Sequence, residues 1–308
     1  MKPTLLVLAA GMGSRYGSLK QLDGLGPHGE TIMDYSVFDA MRSGFGKVVF
    51  VIRRSFEKEF REKILSKYEG HIPVEVVFQE IDCLPDGFEV PEGRTRPWGT
   101  NHAVMMGQSV VNEPFAVINS DDFYGLEAYR RLSEFLSALP EGAEGRYAMV
   151  AFNVGNTTTP NGEVSRGVCT VDDSGRLHKI VERHHIGYDE EGLIRYKDEN
   201  DNWCHIDATA PVSMNFWGFT PEYFRYSRYE FRRFLKKYIE RNREFFIPSV
   251  VDVLIGCRLA TVDVLGTDSQ WFGVTYSDDR EGVRRRLAEL HRQGVYPDNL
   301  FDISVSAD

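Results

Sequence analysis

Short apolar runs alternate with amphipathic segments along the first half of the chain, a pattern typical of a parallel sheet covered by helices. The apolar runs cover residues 5–10, 47–52, 74–78 and 115–119, and each is short enough for a buried strand. Helical periodicity falls between and after them, over residues 31–42, 55–68, 102–108 and 126–137. We therefore predict an α/β fold with a doubly wound, mostly parallel, Rossmann-like sheet.

The second half of the chain is richer in strand-like segments. These cover residues 147–153, 168–172, 179–182, 212–219 and 259–264. An amphipathic helix is predicted over 222–242, and a last helix over 279–293 ends at Gly294. Residues 187–204 are polar and indicate an exposed insertion. We expect one domain over residues 1–308, with internal boundaries near residues 145 and 275.

A glycine-rich turn follows the first predicted strand. Gly11 and Gly13 lack a Cβ, so their backbone N–H groups can approach a polyanion closely. Arg15 and Lys20 place two cations beside those donors. The turn therefore predicts a site for a nucleoside triphosphate.

A dinucleotide site is the main alternative for this turn. The Rossmann fingerprint requires a third glycine three residues after the second, where this chain has Tyr16. The second predicted strand ends in Arg53 and Arg54, which suit the 2′-phosphate of NADP. An NADP-dependent oxidoreductase therefore stays open as an alternative.

Polar groups stand where the predicted parallel strands end. Gly11, Arg53, Gln79 and Asp121 each follow one of the first four strands. Ligands of doubly wound sheets bind beyond the carboxyl ends of the strands. These four positions are therefore expected to converge on one pocket.

Composition narrows the range of functions. The 308 residues are 42% hydrophobic and 27% charged, which is typical of a globular protein. The net charge of −10 argues against a broad basic surface for nucleic acid. No segment is long and apolar enough to predict a membrane span. The four cysteines are scattered, which favours reduced thiols in a cytoplasmic protein.

Four motifs in order carry a resemblance to a known family. They are LAAGMGSR at 8–15 followed by Lys20, WGTNHA at 98–103 with Gln79 upstream, VINSDD at 117–122 and IVER at 180–183. Together they resemble the sugar-1-phosphate nucleotidylyltransferases over about residues 4–220. The resemblance implies a Mg²⁺-dependent enzyme that couples an NTP, with a pyrimidine base expected, to a sugar 1-phosphate. The products would be an NDP-sugar and pyrophosphate.

The resemblance also implies how the chain is divided and which residues act. Residues 1–145 would bind the nucleotide, 146–275 would bind the sugar, and 276–308 would form a helical extension. The implied catalytic residues are Arg15, Lys20 and Asp121. The implied nucleotide-binding residues are Leu8, Ala10, Gly11, Gly13, Ser14, Gln79, Gly99 and Thr100. The implied sugar-phosphate ligands are Gly167, Glu182, Arg183 and Asn215, and the implied metal ligands are Asp121 and Asp122.

Two departures from the family leave questions open. Gly273 stands where the family has a second acidic metal ligand, so Asp263, Asp278 or Asp279 is a possible substitute. The short spacing from Arg15 to Lys20 resembles cytidylyltransferases that act on the molybdenum cofactor. A pterin or phosphocholine acceptor therefore remains an alternative to a sugar, and a nucleotide sensor without catalysis is another. His102, at a predicted helix start, is expected to be structural.

Overall fold

The fold is described from a computed structural model, which covers residues 1–11, 24–159, 162–273 and 279–301. The first four predicted strands of the central sheet are present. They are β1 (Thr4–Leu8), β2 (Lys47–Ile52), β3 (Val74–Phe78) and β4 (Phe115–Asn119). All pair in parallel, in the order β3-β2-β1-β4. Their carboxyl ends therefore lie at one edge, as predicted.

The remaining strands extend this sheet and change its direction. A short strand β5 (Asp122–Phe123) follows β4 and pairs with a late strand, β13 (Phe272–Gly273). The others are β6 (Arg146–Asn153), β7 (Val164–Val171), β8 (Leu177–Tyr188), β9 (Ile194–Lys197), β10 (Trp203–His205), β11 (Pro211–Phe219) and β12 (Thr261–Thr267).

Strand β11 reverses direction inside an otherwise parallel central sheet. It pairs antiparallel with β4 on one side and with β6 on the other, and β12 runs parallel to β6. The central sheet is therefore mostly parallel, as predicted. Strands β7 to β10 add an antiparallel extension. The prediction of a mostly parallel sheet holds for the centre and not for this extension.

Helices cover both faces of the central sheet. In chain order they are α1 (Ile32–Arg42), α2 (Glu57–Lys63), α3 (Thr100–Met106), α4 (Leu126–Ala138), α5 (Tyr223–Tyr238), α6 (Ile247–Gly256) and α7 (Asp279–Arg292). Successive strand residues point to opposite faces. Leu5 and Val7 therefore pack with α1, α2 and α4, whereas Leu6 and Leu8 pack with α3, α5 and α6. The doubly wound arrangement follows from this alternation.

Local signals explain where several elements begin. Helix α1 starts at a capping box, in which the Thr31 hydroxyl accepts from Asp34 N while the Asp34 carboxylate accepts from Thr31 N. The helix predicted over 55–68 is α-helical only over Glu57–Lys63, with 3₁₀ turns at 54–56 and 65–67. Helix α6 was not predicted, although its buried residues Val250, Val251 and Leu254 alternate with the exposed Ser249 and Asp252 at helical spacing.

The segment predicted as an exposed insertion is an antiparallel ladder. Asp189 and Asp198 each accept hydrogen bonds from backbone N–H groups two and four residues ahead, which builds a tight turn before β9 and another before β10. Tyr188, Leu193 and Trp203 on this ladder are exposed. The insertion is therefore exposed, as expected. It also contains strands, and its aspartates build the turns that connect them.

Two further observations bear on the compositional expectations. None of the helices in the described ranges is both long enough and apolar enough to cross a bilayer. All four cysteines lie within the described ranges, and each is a free thiol.

Gly218 allows β11 to pack closely against α4. A Cβ built at Gly218 would lie 2.7 Å from Leu132 Cδ1 and 3.2 Å from Leu136 Cδ2. Overpacking of this kind costs about 1–3 kcal/mol, so Gly218→Ala is expected to lower the free energy of unfolding by that amount. Gly266→Ala in β12 is the matched control, because its Cβ meets nothing within 4 Å. Urea denaturation measures both, and equal stabilities of the two variants would contradict this packing argument.

Candidate functional site

A pocket of about 200 Å³ lies at the carboxyl ends of β1, β3 and β4. It brings together the described residues that sequence analysis assigned to the nucleotide, namely Leu8, Ala10, Gly11, Gln79, Gly99 and Thr100, together with Asp121. Gly13, Ser14, Arg15 and Lys20 lie outside the described residues. The convergence is a structural fact, while the nucleotide itself stays a prediction.

The arginines that end β2 have partners inside the protein. Arg53 Nε donates to Ala10 O at 3.1 Å and so ties β2 to the start of the glycine-rich turn. The Arg54 guanidinium lies 4.1 Å from the centroid of the Phe78 ring. Arg53, which was expected to converge on the pocket, is not among the residues that line it.

Gln79 and His102 fix each other's orientation. The side-chain amide nitrogen of Gln79 lies 3.0 Å from Gly99 O, which accepts only, so the amide must face it with an N–H. His102 Nε2 lies 2.8 Å from Cys83 O and must likewise donate. Its Nδ1 then accepts from the Gln79 amide at 3.1 Å. Both N–H groups of Gln79 are therefore used internally, and no donor to its Oε1 is found in the described ranges, while the residue itself lines the pocket.

Burial keeps His102 neutral. Its ring is fully buried, and desolvation lowers its pKa from 6.5 to about 4, against the weaker effect of the bond to Cys83 O. A neutral imidazole is required, because a protonated Nδ1 would have no acceptor in the Gln79 amide. His102 is thus a buried positioning group in α3, in line with the structural role expected of it.

Gly99 makes a backbone turn that another side chain would disrupt. Its φ is +109°, and a Cβ there would lie 2.6 Å from both N and O of Phe245. Phe245 N donates to Trp98 O and Phe245 O accepts from Asn101 N at 3.0 Å, so this segment closes the turn. The neighbouring Glu244 lines the pocket. Sequence analysis missed residues 244–245, because their contact with the turn spans about half the chain.

The two adjacent aspartates have different surroundings. Asp121 is exposed and lines the pocket. Asp122 accepts from Asn119 Nδ2 at 2.9 Å and from the Tyr124 hydroxyl at 3.2 Å. Burial, and secondarily the charge of Asp121, raises the pKa of Asp122. Mg²⁺ is commonly held by one or two carboxylates together with substrate phosphates, so Asp121 fits that role better than Asp122.

Gly273 lies beside these aspartates across the β5–β13 pair. It is the register partner of Asp122, and a Cβ at Gly273 would lie 2.9 Å from Asp122 Oδ1. Of the proposed substitute acids, Asp279 accepts from Thr159 at 3.1 Å. Asp263 pairs with Ala148, toward the opposite end of β6, and Asp278 lies outside the described residues. A carboxylate at position 273 would thus crowd Asp122.

Asn215 connects the second half of the chain to the end of β4. The register of β11 shifts between Ser213 and Trp217, and Asn215 in this bulge has a φ of +62°. Its Nδ2 donates to Asn119 Oδ1 at 2.7 Å, and its Oδ1 accepts from Trp217 Nε1 at 3.0 Å. Asn215 therefore positions Asn119, which lines the pocket.

Glu182 and Arg183, two of the implied sugar ligands, are adjacent in β8, so their side chains lie on opposite faces of the strand. Glu182 is the register partner of Gly167, and partial desolvation raises its pKa. Arg183, on the other face, is paired with Glu199. Arg166 was not among the implied ligands, yet it is the cation whose charge acts on both Asp122 and Glu182. Desolvation lowers the pKa of Arg166 to about 10, so it stays charged at neutral pH.

Comparison with known proteins gives a likeness of fold. No protein-family model matches the sequence, and no curated protein matches it. Among solved structures, 394 chains match. One is the inositol-1-phosphate CTP transferase from T. maritima, with a TM-score of 0.58 over 93% of this chain and 96% of that chain. The two sequences are 15% identical, so the likeness shows a shared fold.

The depressed pKa of His102 predicts an acid-sensitive stability. Between pH 6.5 and about 4 the unfolded state binds a proton that the folded state does not, so stability is lost as the pH falls through this window. The slope is about 1.4 kcal/mol per pH unit, or about 3 kcal/mol in total. His102→Gln is expected to lack this loss, as measured by urea denaturation at pH 7.5 and 4.5. Exposed His178→Gln serves as control, and parallel profiles for wild type and His102→Gln would contradict the assignment.

Proposed function

We propose that this protein is a Mg²⁺-dependent nucleotidyltransferase that joins an NTP to a sugar 1-phosphate and releases pyrophosphate. The observation that carries the proposal is the pocket at the strand ends, where Gly11, Gln79, Gly99 and Asp121 meet. The fold shared with the inositol-1-phosphate CTP transferase supports the same reaction class. The four ordered motifs support the sugar 1-phosphate as acceptor.

The nucleotide half of the pocket supplies complementary groups for a base. Gln79 Oε1 accepts a hydrogen bond, so it pairs with an N–H of the base edge, such as the amino group of cytosine or the ring N–H of uracil. The Gly99 turn brings backbone groups close to the same plane because no side chain intervenes. His102 already holds the Gln79 amide in one orientation, so little conformational entropy is lost at this amide when the nucleotide binds.

The reaction needs positioning and charge neutralisation more than proton transfer. The acceptor phosphate is already ionised near neutral pH, since its second pKa is about 6. One of its oxygens attacks the α-phosphorus as the bond to pyrophosphate breaks. We assign Arg15 and Lys20 to the triphosphate, and Asp121 to the metal. Bound Mg²⁺ would neutralise charge on the phosphates.

The acceptor end is assigned to Glu182 and Arg166. Glu182 would accept from acceptor hydroxyl groups, and Arg166, whose guanidinium is held in place by Thr157 and Ser165, would supply positive charge for the acceptor phosphate. Arg183, already paired with Glu199, is a weaker candidate than the motif implied. A polyol phosphate offers the same hydroxyl and phosphate groups as a sugar phosphate, so the acceptor panel must include both. Phosphocholine and pterin phosphates remain alternatives for the acceptor.

A pyrophosphate-release panel tests the function. Each of CTP, UTP, dTTP, ATP and GTP is combined with several sugar 1-phosphates and with inositol 1-phosphate, using coupled pyrophosphatase. We expect release that requires one NTP, one acceptor and Mg²⁺ together. Lys20→Ala should lower the rate by a factor on the order of 10²–10³, as for other groups that stabilise transition-state charge. NTP binding without any release would point to a sensor, and tight NADPH binding alone would point to an oxidoreductase.

The two aspartates make separate predictions for the metal. Asp121→Asn is expected to reduce kcat by a factor on the order of 10²–10³ and to raise the Mg²⁺ concentration needed for half-maximal rate. Asp122→Asn keeps the size of a buried, hydrogen-bonded group and is expected to shift the Mg²⁺ dependence much less. Mg²⁺ titrations of the two variants measure the difference. If Asp121→Asn behaves as wild type, a different acid holds the ion.

A further inference from the structure

A second cluster of metal-ligating side chains lies away from the pocket at the strand ends. His28 precedes α1, His291 stands in the last turn of α7, and Asp298 follows that helix. Ligand atoms of these three residues lie within 4.8 Å of one another. His28 Nε2 is 4.0 Å from Asp298 Oδ1, and the two imidazole centroids are 5.9 Å apart. Two regions that are distant in sequence, residue 28 and residues 291–298, therefore bring two imidazoles and one carboxylate together.

One nitrogen of the His291 ring has a hydrogen-bond partner and the other has none. The Tyr35 hydroxyl lies 2.8 Å from His291 Nε2. A neutral imidazole carries one N–H and one lone pair, so Nδ1 is the lone pair in the tautomer whose Nε2 donates to the Tyr35 oxygen. That atom is buried, and no hydrogen-bond partner reaches it from the described ranges.

An unsatisfied buried acceptor carries a cost that a cation would remove. Such an acceptor costs about 1–3 kcal/mol. A histidine ligand of a metal commonly donates its other N–H to a neighbouring oxygen, which fixes the tautomer and the ring orientation. Tyr35 does this for His291. In that tautomer, His291 Nδ1 offers a lone pair with no competing partner in the described ranges, and the ring has the support expected of a metal ligand.

We propose that His28, His291 and Asp298 form a binding site for a transition-metal dication of the Zn²⁺ class. Two imidazole nitrogens and a carboxylate suit Zn²⁺, Co²⁺ or Ni²⁺, whereas Mg²⁺ prefers oxygen ligands, so this site is distinct from the one assigned to Asp121. The three ligand atoms now lie within 4.8 Å of one another, and Zn–N distances of about 2.0–2.1 Å require them to move closer together. His28 and Asp298 are 53% and 96% exposed and can rotate, while Tyr35 holds His291 in place.

The location of the site gives it a structural consequence. Residues 291 and 298 belong to the C-terminal region, which packs on α1 through a cluster that includes Tyr35, Leu287 and Tyr296. His28 belongs to the segment that leads from the glycine-rich turn into α1. An ion shared by these ligands would cross-link the end of the chain to that segment, and would stabilise the folded state according to its concentration.

Competition titration with a chromogenic Zn²⁺ chelator tests the site. Untagged, metal-stripped full-length protein is titrated in excess Mg²⁺, so that oxygen-ligand sites are occupied. We expect one Zn²⁺ per chain that His28→Ala and Asp298→Ala each weaken at least tenfold. Exposed His178→Ala, remote in sequence from the cluster, is the control and should bind as wild type.

Two further readouts separate a built site from adventitious binding. Tyr35→Phe keeps the ring but removes the acceptor for His291 Nε2, and loss of such a support typically costs 10–100-fold in affinity. Zn²⁺ should raise the melting temperature of wild type and not that of His28→Ala. Absence of binding to wild type, or binding that neither His28→Ala nor Asp298→Ala weakens while both variants remain folded by circular dichroism, would overturn the proposal.

Discussion

The site depends on the direction of one strand. Strand β11 runs antiparallel between β4 and β6, in a central sheet whose other strands are parallel. Strand β11 pairs with β7 up to Ser213 and with β4 from Trp217; between these two residues its register shifts, and Asn215 takes a positive φ in the bulge. Its amide then reaches Asn119 at the end of β4. The second half of the chain is thereby joined to the edge where the pocket lies.

Around the pocket, most polar groups are held by other polar groups of the protein. Asn119 is engaged by Asn215 and Asp122, and Gln79 by Gly99 and His102. Buried polar networks of this kind rigidify a site when their members are satisfied. Such preorganisation suits a reaction that depends on positioning. The net charge of −10 does not oppose the proposed function, because local donors and cations at a site decide whether an anion binds.

Elements with strong local signals could be predicted from the sequence. Strands β2, β3 and β4 begin and end at the predicted residues because short apolar runs bounded by polar residues have few alternatives. The helix α1 was limited by its Thr31 cap. The convergence of Gly11, Gln79 and Asp121 followed from a general property of parallel sheets. Strands β9 and β10 were missed because a polar ladder lacks the alternation of a half-buried strand, and helix α6 was missed although its apolar residues have helical spacing.

The sequence alone therefore established the α/β class, the polar residues that end the parallel strands and the expectation that several of them meet. It did not establish the orientation of the Gln79 amide, the difference between Asp121 and Asp122, the position of Arg166 or the meeting of His28 with His291 and Asp298. Each of these depends on hydrogen bonds, desolvation or packing that exist only in the folded chain. Local propensity cannot encode such contacts, because they exist only once the sheet and its helices have assembled.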